Sequence, residues 1–96
     1  MEINKLITNN EGALVDVRSP EEFMGGNVVG SVNVPLQELE SRITELKEMK
    51  QPLILFCASG GRSGMATQML GQQGIECYNA GSWLDVNYLK SQTQNS

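Results

Sequence analysis

Histidine is absent from these 96 residues, and cysteine occurs only twice. No Cys–His pair, Ser–His–Asp triad or imidazole metal site can therefore be built. Two cysteines cannot supply a four-thiolate site, so neither a resident metal nor a cofactor is expected. There is no Lys/Arg cluster, net charge is −4 and the pI is near 4.6, which argues against a nucleic-acid partner. No apolar run approaches the length of a membrane helix, so no membrane partner is expected. Met1-Glu2-Ile3-Asn4-Lys5 lacks the basic and apolar regions of a secretory signal. The expected location is the cytoplasm, or the periplasm if an export signal has been trimmed. Repeats, linkers and low-complexity tracts are also missing. Residues 1–96 read as one domain, with a polar tail over 91–96.

Apolar residues make up 40% and charged residues 19%, the balance of a soluble globular chain. Strand and helix patterns alternate. Ala13 to Val17 reads as a buried strand, and Ser31 to Val34 as a short one ended by Pro35. Ser19-Pro20-Glu21-Glu22 is a helix start, with Ser19 as N-cap and Glu22 closing a capping box. Leu36, Leu39, Ile43, Leu46 and Met49 predict one amphipathic helix, stopped by Pro52. Leu53 to Cys57 is the most apolar strand and is expected at the centre. A helix after Arg62 should end near Gly74, followed by a strand over residues 75–79. Trp83, Leu84 and Leu89 suggest a last helix, and Met1-Glu2-Ile3 an edge strand. Such alternation predicts a parallel α/β sheet with helices on both faces and ligands beyond the strands' carboxyl ends.

One segment stands at such an end: Cys57-Ala58-Ser59-Gly60-Gly61-Arg62-Ser63. Strand, glycine-containing loop and helix N-terminus together make an anion site from backbone N–H groups. A cysteine at its mouth should have a lowered pKa and act as a nucleophile, needing no histidine base. Cys57 is the candidate nucleophile, although a lone cysteine ending an apolar strand is ordinarily core packing. Arg62 at the loop's exit suits an oxyanion, because guanidinium offers paired donors. Ser59 and Ser63 fit either hydrogen bonds to the sulfur or turn and cap roles. Asp16 reads as half of a structural ion pair. Arg18 is placed on the rim as a possible second cation. Cys77 and Trp83 read as core.

These residues resemble the rhodanese superfamily in its single-domain form, over nearly the whole chain. Asp16 to Phe23 looks like the family's first signature and Gly26 to Pro35 like its second. Cys57 to Ser63 matches the active loop, and Ala80-Gly81-Ser82-Trp83 resembles the closing Gly-Gly-x-Trp element. Four matches in order are specific where one alone is weak. Small stand-alone members include thiosulfate sulfurtransferases and the phage-shock protein E group. The resemblance implies a mostly parallel five-stranded sheet flanked by helices. It also implies transfer of sulfane sulfur from thiosulfate or a persulfide donor, through a Cys57 persulfide, to cyanide or a thiol. The amides of Ala58, Ser59, Gly60, Gly61 and Ser63 would cradle the persulfide, with Arg62 on the donor's oxyanion end. A sulfur-relay protein is a possible partner, and a monomer is expected. Two positions depart from the pattern: Asn27 stands for a histidine, and Ala80 for a glycine.

Alternatives share the same residues. A persulfide carrier or a partner-docking module would look alike, although docking alone needs no cysteine. Phosphatases and arsenate reductases place five residues between cysteine and arginine, whereas four lie between Cys57 and Arg62. The smaller cradle suits sulfur better than a phosphoryl group.

Overall fold

The computed structural model describes residues 3–93. The first element, α1, runs over Ile3–Thr8. Of the edge strand expected over Met1-Glu2-Ile3, Ile3 is helical instead, and Met1 and Glu2 lie outside the described residues. Ile3, Leu6 and Ile7 recur at helical spacing, and all three pack into one apolar cluster.

Four strands form a single parallel sheet among the described residues. They are β1 (Ala13–Asp16), β2 (Val32–Asn33), β3 (Leu53–Cys57) and β4 (Cys77–Ser82), in the order β2-β1-β3-β4. This is the parallel α/β architecture expected, with four strands in place of five. Helix α2 (Pro20–Gly25) links β1 to β2, and α3 (Ile43–Glu48) precedes β3. Helix α4 (Gly61–Gln72) links β3 to β4, and α5 (Trp83–Thr93) follows.

Alternation along β3 explains the two layers. Leu53, Leu55 and Cys57 join a cluster with Leu46 of α3 and Ala66 and Leu70 of α4. Ile54 and Phe56 face the other way, against Leu6 and Ile7 of α1 and Val86 of α5. All five β3 residues are buried, as a strand covered on both faces must be. Each buried aliphatic side chain contributes about 1.5–3 kcal/mol of hydrophobic stabilisation.

Two element boundaries differ from the sequence pattern. The stretch predicted as one helix over 36–49 begins as two 3₁₀ turns, Leu36–Glu38 and Glu40–Arg42, and becomes α-helical only in α3. Its apolar residues are spaced by three, four, three and three, which suits a tighter helix as well as an α-helix. Bonds of the 3₁₀ type, Leu39 N–H to Leu36 O and Arg42 N–H to Leu39 O, close these turns. The strand predicted over 75–79 is shifted, running from Cys77 to Ser82. Ile75 instead closes the exit of α4, where its N–H donates to Leu70 O and Gly74 takes φ +81°. A bulge opposite the Leu55/Phe56 step carries β4 onward, pairing Gly81 with Phe56 and Ser82 with Cys57.

The chain leaves β1 toward β2 on one side, then returns beyond β1 to lay down β3 on the other. The order reverses between β1 and β3, so the crevice for a ligand lies beyond their carboxyl ends. Cys57 closes β3 and Asp16 closes β1.

Candidate active site

Cys57 is buried to 1% exposure, yet three donors converge on its sulfur. Gly60 N–H lies 3.0 Å from Sγ, Ser63 Oγ 3.4 Å and Ser63 N–H 3.5 Å. Gly60 reaches this position with φ +105°, a left-handed conformation that disfavours any side chain. Gly60 also caps α4, so the loop and the helix start are one device. Burial pushes the Cys57 thiol up. Hydrogen bonds from the Ser63 hydroxyl and the Ser63, Gly60 and Ser59 amides outweigh it, bringing the pKa down to about 7. The lowering thus comes from fixed N–H and O–H dipoles. Ala58, Ser59 and Gly61 are exposed and form the outer lip of the loop.

Asn79 on β4 holds this loop from the side and carries no signal in the motif. Its Nδ2 donates to Gly60 O at 3.1 Å, and its Oδ1 accepts from Gly81 N–H at 2.9 Å. The Ser63 hydroxyl also donates to that Oδ1, at 2.7 Å. One hydroxyl proton therefore serves two acceptors, Asn79 Oδ1 and the Cys57 sulfur. Only the strand pairing that brings β4 beside β3 could reveal this contact.

Arg62 sits in the first turn of α4, but its guanidinium is not an open cation at the mouth. Nη1 donates to Glu22 Oε1 at 2.7 Å and Nη2 to Glu22 Oε2 at 3.0 Å, joining α4 to α2. Glu22 is held in place by the capping box read from the sequence. Its Oε1 accepts from Ser19 N–H at 2.9 Å, and Ser19 Oγ accepts from Glu22 N–H at 3.2 Å. The Arg62 hydrogen bond, with the Ser19 amide, holds the Glu22 carboxyl at about 2.

Arg18 is not on the rim, where the sequence placed it. It is 3% exposed, and its Nε and Nη2 are both engaged. Its Nε and Nη2 donate to Asp16 at 2.7–3.0 Å, and Nη2 also donates to Gly26 O at 2.7 Å. The guanidinium lies 4.4 Å over the Trp83 ring. Asp16 is the structural partner expected of it, with the difference that the pair ties β1 to its own following loop. Asn33 braces the same turn, donating to Asp16 O and Arg18 O. Asn27 is exposed and only closes the end of α2, donating to Phe23 O.

Cys77 cannot reach the cradle. It pairs with Leu53, four residues from Cys57 along β3, or about 13 Å away at ~3.3 Å per residue. It is half-buried against Thr67 O, and burial raises its thiol pKa.

The molecule is thus a parallel α/β domain that presents an amide-cradled thiol at its topological switch point. The chain belongs to the rhodanese-like family, whose description, "Rhodanese-like domain", matches residues 2–87. It is 45% identical over 67 residues to the uncharacterized protein YqhL of Bacillus subtilis strain 168. That match covers 69% of this chain and 52% of YqhL, so the chain spans about half of that relative's length. It is 34% identical over 74 residues to the thiosulfate sulfurtransferase PspE of Escherichia coli K12, covering 75% of this chain and 71% of PspE. Among solved structures it is similar to a rhodanese with anions from E. coli. That structure has a TM-score of 0.68 and 33% identity, with 76% of this chain and 88% of that one covered.

Proposed function

We propose that this protein is a sulfurtransferase that carries sulfane sulfur on Cys57. The observation that bears most weight is the convergence of Gly60 N–H, Ser63 N–H and Ser63 Oγ on one buried sulfur. The Cys57 thiolate attacks the outer sulfur of thiosulfate. The sulfur–sulfur bond breaks, its electron pair leaves with sulfite, and Cys57 holds a persulfide anion. A thiolate or cyanide then attacks the outer persulfide sulfur, and the Cys57 thiolate is regenerated. No proton has to be moved by a base once the thiolate exists, which suits a chain without histidine. The N–H groups that stabilise the thiolate would stabilise the persulfide anion by the same dipoles. Arg62 is the candidate partner for the donor's oxyanion end, reached through the guanidinium hydrogens that Glu22 leaves available. The sulfurtransferase activity of the similar PspE supports this reading.

The test is intact mass after exposure to thiosulfate, followed by thiocyanate release with cyanide. One added sulfur on Cys57, removable by cyanide, is expected. A protein that stays unmodified with thiosulfate and with alkyl persulfides, while its thiol remains reactive, overturns the proposal. A protein that loads sulfur but releases it only slowly to any small acceptor is a persulfide carrier instead.

A further inference from the structure

Arg62 lies in the first turn of the helix that follows the Cys57 loop, and Arg18 follows β1 at the same end of the sheet; each is matched by a carboxylate. Arg18 is enclosed with Asp16. Arg62 is held by both oxygens of Glu22, whose own position is fixed by the Ser19 amide. The loop positions Ala58, Ser59, Gly60, Gly61 and Ser63 add no charge. The sulfur is thus stabilised by neutral donors, while the cation nearest the mouth has a carboxylate against it. An approaching anion meets Arg62 and Glu22 together, on a chain whose net charge is already −4.

We propose that Glu22 is a specificity-determining residue that screens Arg62 and makes Cys57 discriminate against anionic reagents. As a statement about donors this rests on the sulfurtransferase reading; as a statement about charge at Cys57 it does not. The favoured donor class is then a persulfide of an alkyl thiol, of lower charge than the thiosulfate dianion. The step balances: the thiolate attacks the outer sulfur, and the bond between the donor's two sulfurs breaks. The alkyl thiolate leaves with the electron pair, and the transferred sulfur keeps its proton.

Glu22→Gln is the informative variant, because glutamine also completes a capping box and its side-chain oxygen can still accept from Ser19. Cys57 would be alkylated with iodoacetate, which is anionic, and with iodoacetamide, which is neutral, at fixed pH and low salt. The acetate-to-amide rate ratio should rise about tenfold in Glu22→Gln, shrinking as salt is added. In Arg62→Ala, where Glu22 is left unmatched, the ratio should fall below that of the wild type. The double variant should lie between these limits. Sulfur loading should follow: Glu22→Gln should favour thiosulfate over the persulfide of 2-mercaptoethanol more than the wild type does. Ratios that stay within twofold of the wild type in both single variants overturn the screen. Altered ratios in a protein that no donor loads would confirm the screen and overturn the sulfurtransferase reading alone.

Discussion

At the scale of the residue, the acidity of the Cys57 thiol is set by burial, which raises its pKa, and by the N–H and O–H dipoles that outweigh it. Its alkylation rate should rise with pH through a midpoint of about 7. Ser63→Ala removes both the hydroxyl near the sulfur and the partner of Asn79, so its midpoint should shift upward. An unchanged midpoint in the Ser63 variant would mean that the amides alone set the acidity. Cys57→Ser should abolish sulfur loading, because an alcohol is not ionised here. Cys77→Ala should keep it and lose about 1 kcal/mol, as a half-buried truncation on the far end of the strand. Mass spectrometry and thermal melts on the two cysteine variants separate these outcomes. Cys57 and its loop were legible in the sequence, because strand, glycines and helix start are contiguous. Asn79 was not: it is one polar residue in a strand, and it matters only because β4 lies beside β3.

At the scale of the element, Gly12 and Gly60 are two of the glycines whose positive φ other residues resist. Gly12 has φ +80°, and a Cβ there would stand 2.1 Å from the backbone oxygen of Pro52. That oxygen also accepts from Ala13 N–H, which starts the β1–β3 pairing. Gly12→Ala should therefore destabilise by roughly 2 kcal/mol or more, lowering Tm by about 10 °C in a domain of this size. A melt shifted by less than a few degrees would show that the turn can relax. Gly60→Ala should act differently. Its φ of +105° strains any Cβ by about 1–2 kcal/mol. The displaced Gly60 N–H should also raise the Cys57 alkylation midpoint. Gly60 was evident in the sequence as part of a turn before a helix. Periodicity located the apolar face of residues 36–49 but not its helix type, since a three-residue recurrence fits both kinds.

At the scale of the molecule, the ion pair Glu22–Arg62 ties α2 to α4 across the crevice. The Glu22 carboxyl is held at about 2, against an ordinary value of 4.5. A depressed acid stabilises the fold fully above the ordinary value and loses that contribution as pH falls toward the folded one. Stability should thus decline between about pH 4.5 and 2, and less steeply in Glu22→Gln. Both side chains are 37% exposed, so the contribution is modest and should shrink with salt. Melting temperatures over a pH series, with and without salt, check the sign. Core truncation should cost more: Leu55→Ala, fully buried between β1 and β4, should lose about 2–5 kcal/mol by denaturant unfolding.

The sequence by itself determined the α/β alternation, the apolar central strand, the Ser19–Glu22 cap and the cysteine loop with its neighbouring helix. Each depends on residues within a few positions of one another, where spacing and backbone preference act directly. The tertiary structure alone decided which charges meet. It set Glu22 against Arg62, forty positions away, and laid Arg18 over the Trp83 ring rather than at the rim. It made Ile3–Thr8 a helix, whose Leu6 and Ile7 pack against α5 and the sheet. Long-range pairings of this kind depend on strand order and layer packing, which no local pattern encodes.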